Sequence, residues 1–281
     1  IRQIQTLRGQ GGLTILELGG GSGILAEQIL SVVKDEQWRY IILEKGHKDE
    51  TGPVTWIREP AEIPVIGGFT IVIANEFFDA LPFHRIVSTE TGLKETYIDF
   101  VEGYVEVLGS LSPAVDTFLQ SHPLPLMLHQ AAEVTTRSLG ILKDVSDRLE
   151  EALLLVFDYG YHTAELALGR FFEGSVVGYK QMKLRQNLFE ELGATDITHH
   201  VNFDHLTAML DRFGWVKVGE IEQYRFLFNI GVLERMAALA EAERVSAKGV
   251  IDPQGIGSMI SVLGFARNIA WEVPGFGRKP L

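Results

Sequence analysis

The stretch Thr14–Gly23 reads TILELGGGSG: an apolar run, a carboxylate near its end, and glycines at 19, 21 and 23 ahead of an amphipathic segment. Glycine lets the backbone turn sharply and removes the Cβ atoms that would hold a ligand away from the main chain. A second apolar run, Trp38–Glu44, also ends in a carboxylate. Strand, glycine turn, helix, strand and acidic end together spell a nucleotide-binding βαβ unit. A third run, Phe69–Ala74, leads into NEFFDALP, which places Asn75, Glu76 and Asp79 at the rim of a buried strand. Two carboxylates there could orient a cationic nucleophile such as a guanidinium, or take up its proton. A plainer role for Asp79 is to cap the start of a helix.

The spacing separates the nucleotides. A dinucleotide site uses G-x-G-x-x-G, with the pyrophosphate on the helix N-terminus. Here the run is G-x-G-x-G, with Glu17 two residues before the first glycine. A carboxylate at that point repels a pyrophosphate and suits a ligand with a positive or polar amino-acid end. S-adenosylmethionine has such an end and no phosphate. Class I methyltransferases carry this acidic-x-G-x-G-x-G pattern, and Glu44 then accepts hydrogen bonds from the ribose hydroxyls. The competing readings are a nicotinamide site and a glycine turn that binds nothing.

Alternating strands and helices must position these residues, which implies an α/β fold with a mostly parallel sheet. Helices are expected at Ile24–Val33, with Leu25, Ile29 and Val32 or Val33 inward, at Ser112–Gln120, at Phe203–Phe213 and, as one helix or a helix pair, over Leu227–Lys248. Glu133–Leu149 reads as amphipathic. Strands are expected at Val54–Ile57, Ala152–Asp158, Trp215–Ile221 and Met259–Phe265. Phe83–Leu108 alternates like antiparallel strands broken by turns. Gly169–His200 is irregular, with a short helix near Lys183–Leu192, and a long segment of this kind is often a functional loop. The expected organisation is a single domain over 1–281 with residues 83–130 inserted. Because the chain opens on Ile1, a preceding N-terminal segment is expected.

Composition narrows the function. The chain has 281 residues and a net charge of -12, which argues against a general nucleic-acid binder. It has no cysteine, which excludes disulfides, thiolate metal sites and a cysteine nucleophile, and fits a reducing cytoplasm. No apolar run approaches the ~20 residues of a membrane span. The eight histidines include no HxxxH or HExxH spacing, so no metal is expected. His200 reads more readily as a hydrogen-bonded structural histidine than as a proton carrier. The pairs Phe77-Phe78 and Phe171-Phe172 read as core or lid packing. Tyr159 and Tyr161 fit the core or a stack on substrate.

ILELGGGSGILAEQIL, NEFFDALPFHRI, LLVFDYGY and DITHHVNFDHL, in this order and spacing, resemble the MidA-like family, whose members include the mitochondrial complex I assembly factor that methylates arginine. The resemblance covers nearly the whole chain. It implies a Rossmann-like class I methyltransferase, dependent on S-adenosylmethionine, with an inserted β-rich and helical subdomain. The family's best-studied activity is symmetric dimethylation of an arginine on a complex I subunit. By motif, Gly19, Gly21 and Gly23 would cradle the methionine end of the cofactor behind Glu17, Glu44 would hold the ribose, and Glu62 would meet the adenine. Asn75 and Glu76 would line the transfer site with Asp79 beside them. Asp196, Thr198, His200 and Asn202 would pack over cofactor or substrate.

The chain departs from the family in four places: Gly20 where a proline is usual, KGHKDET after strand two, GRFFEGSVVGY at Gly169–Tyr179, and no stretch of the kind that precedes the first strand. The resemblance implies a protein substrate; apart from it, residues 83–108 offer either a substrate dock or a homodimer surface. It places the protein in a bacterial cytoplasm or a mitochondrial matrix. Two further functions remain open: a methyltransferase of another side chain or small molecule, and an assembly factor without turnover.

Overall fold

The structure is a computed structural model that describes Ile4 and residues 12–32, 38–46, 52–181, 183–185, 187–189 and 192–277. In chain order its elements are β1 (Thr14–Leu18), α1 (Ile24–Val32), β2 (Arg39–Leu43), β3 (Val54–Ile57), β4 (Ile66–Asn75), β5 (His84–Thr89), β6 (Gly92–Phe100), β7 (Tyr104–Gly109), α2 (Pro113–Ser121), β8 (Ala131–Val134), α3 (Arg137–Arg148), β9 (Leu149–Asp158), β10 (Gly160–Tyr161), α4 (Thr163–Leu166), β11 (Val177–Lys180), β12 (Lys183–Arg185), β13 (Asp196–Thr198), β14 (Val201–Asn202), α5 (Phe203–Arg212), β15 (Val216–Glu222), α6 (Gln223–Asn229), α7 (Val232–Ala237), α8 (Glu241–Val250), α9 (Ile256–Met259) and β16 (Ser261–Arg267). They build two compact units. The first takes the described residues up to Phe77, Leu142–Tyr159 and those from Leu210 onward; the second takes Phe78–Ile141 and Gly160–Met209.

The first unit holds a seven-stranded sheet of order β15-β16-β9-β4-β1-β2-β3. Strands β9 to β3 are parallel, and β16 runs antiparallel to both β9 and β15. Every residue of β1 is buried, as a parallel strand covered on both faces requires. Ile15, Ile42, Ile71 and Leu153 pack with Tyr40 and Phe69 into one core, and each such aliphatic side chain contributes about 1.5–3 kcal/mol. Helix α1 buries Ala26 and packs Leu25, Ile29 and Leu30 on this core, whereas Val32 is 43% exposed. The apolar stripe thus follows 25, 26, 29 and 30, and Val33 lies outside the described residues. The sheet order reverses at β1, which pairs with β2 on one side and β4 on the other. Ligands bind beyond the carboxyl ends of the strands at such a switch point.

The second unit is built from small sheets: β7-β6-β5-β8 and β12-β11-β13, both antiparallel, and the parallel pair β10-β14. Its two chain segments are tied at Glu133, whose Oε2 accepts from Ser175 N at 3.0 Å and Ser175 Oγ at 2.7 Å.

Three expectations are corrected. Glu133 and Val134 belong to β8, whose four residues are all buried, so the helix begins only at Arg137; a short buried strand carries no periodicity that distinguishes it from a helix. Lys183–Arg185 pair with β11 as a strand, and the described residues of 183–192 contain no helix. The segment Leu227–Lys248 is three helices; Gly231, with φ 88°, ends the first run, since a left-handed residue cannot continue a helix.

Candidate active site

Leu18 pairs with Leu43 and with Ala74, so the carboxyl ends of β1, β2 and β4 lie side by side. The chain leaves β1 through Gly19, Gly21 and Gly23, with φ of 73°, 50° and 78°, a conformation that disfavours a Cβ. Gly19 N donates to Leu43 O at 2.8 Å, Gly23 N to Gly20 O at 2.8 Å, and Glu27 N to Gly23 O at 3.0 Å as α1 begins. A Cβ on Gly19 would lie 2.7 Å from Phe77 Cδ2, and one on Gly23 would lie 3.0 Å from Trp56 Cζ2. One on Gly21 would meet nothing within 4 Å. Two glycines therefore admit aromatic rings, and the middle one faces open space where a ligand can approach the main chain.

The acidic residues around this turn differ in role. Glu44 is half-buried; its Oε2 accepts from Gly21 N and its Oε1 from Gly46 N, each at 2.9 Å. Each carboxylate oxygen has a second lone pair, which leaves capacity for a vicinal diol. Glu17 is 3% exposed and accepts the Tyr40 hydroxyl at 2.8 Å. Burial pushes the Glu17 carboxyl above its usual range against the Tyr40 hydrogen bond, and the Glu44 charge adds to the rise. The Tyr40 hydroxyl is likewise driven up by burial, with Glu17 adding to it. Glu17 thus lies inside the sheet, bonded to Tyr40. Glu62 is exposed, and its carboxylate accepts Arg58 N at 2.8 Å, closing its own turn at Pro60–Glu62.

Asn75 ends β4, Glu76 follows it, and both are exposed. Glu76 N donates to Phe157 O at 2.8 Å, and Glu76 sits at φ 46°, in the left-handed region. For a non-glycine residue that region costs roughly 1–2 kcal/mol, and such strain clusters at functional positions. On the next strand, Asp158 is buried at the end of β9, and its Oδ1 accepts Tyr159 N at 3.0 Å.

Asp79 lies in the second unit. It is buried in a turn, and its carbonyl accepts His199 N at 3.1 Å. Residues 78–81 lead directly to β5 without a helix, so Asp79 is no helix cap. The DITHHVNF residues fall in the same unit. Asp196 and Thr198 pair with β11. Asn202 Oδ1 accepts Asp204 N and His205 N, both at 3.1 Å, at the start of α5. His199 Nδ1 donates to His200 O at 3.1 Å, so its Nε2 is the acceptor for the Thr135 hydroxyl at 3.2 Å. Burial lowers the pKa of His199 and takes that of His200 down to about 4, which keeps both neutral. Tyr161 is buried with its ring 5.5 Å from that of Phe171. Among the described residues no group of three or more His, Asp or Glu side chains is placed to hold a metal.

The site in the first unit fits a sulfonium nucleoside. It offers an open glycine backbone, a carboxylate with free lone pairs for a ribose, two aromatic walls and carboxylates in place of cations. A pyrophosphate would meet Glu44 at the same turn. Trp56 and Phe77 are the residues that motif reading missed as walls of the turn. The one available signal was the requirement of Gly19 and Gly23 for space.

Residues 1–221 match the family model Methyltransf_28, described as an S-adenosyl-L-methionine-dependent methyltransferase. Among curated proteins, the chain is similar to the protein arginine methyltransferase NDUFAF7, mitochondrial, of Danio rerio, at 28% identity over 76% of this chain and 52% of that protein. It is similar to the Drosophila melanogaster homolog at 30% identity over 72% of this chain and 44% of that protein. The chain thus spans about half the length of the curated relatives it matches. A solved COG1565 superfamily member from Burkholderia thailandensis, bound to S-adenosyl-homocysteine, has the same fold. The TM-score is 0.84 at 20% identity, over 98% of this chain and 76% of that one. Glycine turn, acidic strand end, sheet order and family model agree, and the chain belongs to the MidA-like family of S-adenosylmethionine-dependent methyltransferases.

Proposed function

We propose that this chain transfers a methyl group from S-adenosylmethionine to an arginine of a protein, as the names of its curated relatives say of them. Bound S-adenosylmethionine supplies an electrophilic methyl on a sulfonium. The protein's share is to align a nitrogen for in-line attack, exclude water and remove a proton. Gly19, Gly21 and Gly23 would admit the methionine end, with Glu17 behind them; Glu44 would accept the ribose hydroxyls. Glu62 is assigned to the adenine, and Asp79 to a second carboxylate, on the motif alone.

The observation that carries the reading is Glu76. It is an exposed carboxylate held in a strained conformation at the switch point, one strand position beyond the end of β4. Resting guanidinium is a poor nucleophile, and a carboxylate that polarises it and takes its proton answers that need. Asn75 would position the acceptor beside it. A subunit of a respiratory complex in the mitochondrial matrix, or its bacterial counterpart, is the proposed acceptor, and symmetric dimethylarginine the proposed product.

The test is calorimetric titration of S-adenosylmethionine and S-adenosylhomocysteine into the full-length protein, with Gly21→Arg alongside. Saturable binding lost in the variant is the expected result. No binding to the parent protein would leave an assembly factor on a methyltransferase fold.

A further inference from the structure

Strand β7 is the outer strand of the sheet β7-β6-β5-β8. Its pairing with β6 is unbroken from Glu95↔Gly109 to Phe100↔Tyr104. Proteins blunt exposed edges with lysine, proline or a bulge; the sequence Tyr104–Gly109, YVEVLG, contains neither residue, and its register shows no bulge.

The outer half of this hairpin also presents apolar side chains on both faces. Ile98, Phe100, Tyr104 and Leu108 share one face, and Tyr97, Val105 and Val107 share the other. Ile98 is 52% exposed, Phe100 67%, Val101 64% and Leu108 56%. Tyr104 packs against Phe100 at 5.3 Å and stacks on Phe189 at 5.9 Å, which covers only part of one face. Contiguous apolar surface of this kind marks an interaction site.

Charge selects the occupant. From Thr96 to Gly109 the chain carries Asp99, Glu102 and Glu106 and no lysine, arginine or histidine. Glu106 is bound by Arg85 at 2.7 Å, while Asp99 and Glu102 are exposed at the tip. A second copy would bring the same carboxylates against these, on a molecule of net charge -12.

Resting on the arginine-acceptor reading, we propose that the β6–β7 hairpin is a docking arm for the methyl acceptor. Its occupant is an extended, basic and apolar segment of a partner protein that adds as a strand to β7. Strand addition supplies main-chain hydrogen bonds, and alternate side chains give selectivity: apolar ones against the hairpin faces and arginines toward the tip carboxylates.

The probe is a short fluorescent peptide alternating arginine and valine, compared with its glutamate–valine counterpart, without cofactor. The arginine peptide is expected to bind in anisotropy, more weakly as salt rises, and to slow hydrogen exchange at Tyr104–Gly109. Asp99→Lys with Glu102→Lys should weaken it by about tenfold or more, whereas Glu90→Lys with Asp116→Lys, an equal change in charge, should alter it less than about twofold.

Equal binding of the two peptides, equal binding by the arm variant, or protection elsewhere would overturn the proposal. A dimer in light scattering whose β7 amides are already slow without peptide would assign the edge to a second copy. Lost docking with cofactor titration intact overturns the arm alone. Docking without cofactor binding overturns the methyltransferase reading and leaves a peptide-binding edge.

Discussion

Glu76 joins function and strain in one residue. Its φ of 46° is a conformation that glycine adopts freely. Glu76→Gly is therefore expected to leave thermal stability unchanged or raise it by up to about 1 kcal/mol while abolishing turnover. A melting curve beside a methyl-transfer assay reads both, and a clear loss of stability would show that the side chain is structural. Glu76→Gln keeps the shape and is expected to retain cofactor binding with turnover down about a hundredfold or more; retained turnover removes Glu76 from the chemistry. Behind the glycine turn, Tyr40→Phe strips a buried carboxylate of its hydrogen bond at 2.8 Å. It should destabilise the protein by about 1–3 kcal/mol in denaturant melts. Glu17→Gln in the same background should recover part of the loss, because burial has raised the Glu17 pKa and the neutral amide avoids that cost.

The elements that read best from sequence are those where local pattern and tertiary role agree. Strands β1, β2, β4 and β9 all lie inside the sheet rather than at its edges, and their near-continuous apolar character marks them as buried parallel strands. The glycine turn was legible because its residue types are dictated by backbone conformation. The small sheets of the second unit were not: β11, β12 and β13 have three or four residues each, and their pairing, not their composition, makes them strands. The role of Phe77 was hidden for the same reason, since nothing in NEFFDALP says that one ring rests on Gly19. Helix α3 shows a contact that links distant segments: Trp215 Nε1 donates to Ser146 Oγ at 2.8 Å, and that hydroxyl donates to Leu142 O at 2.6 Å. Ser146→Ala leaves a buried indole N–H unpaired and should cost about 1–3 kcal/mol. Ser146→Thr, which keeps the hydroxyl, should cost less, and equal losses in the two melts would assign the effect to packing instead.

At the scale of the whole molecule, the second unit concentrates buried histidines. His205 is 7% exposed beside Phe118 and His122. Burial, with the neighbouring His122 adding to it, lowers its pKa from 6.5 to about 4. Between these values the unfolded chain binds more protons than the folded one. Stability held above pH 6.5 is therefore lost as the pH falls toward 4, on the order of 3 kcal/mol from this group. Chemical denaturation across that range should show the slope, and His205→Leu should flatten it; an unchanged slope would place the acid sensitivity elsewhere. The same unit is assembled from two stretches of chain, and the bond between Glu133 and Ser175 spans 42 residues. A ribosome adding about 5–20 residues per second exposes that glutamate roughly 2 to 8 s before its partner exists. During each round of synthesis, the four-stranded sheet that ends at Val134 must wait with an acidic group that has no place to settle. The interval between the two stretches is a window in which a chaperone, or a slowed codon, would decide how many chains reach the finished state.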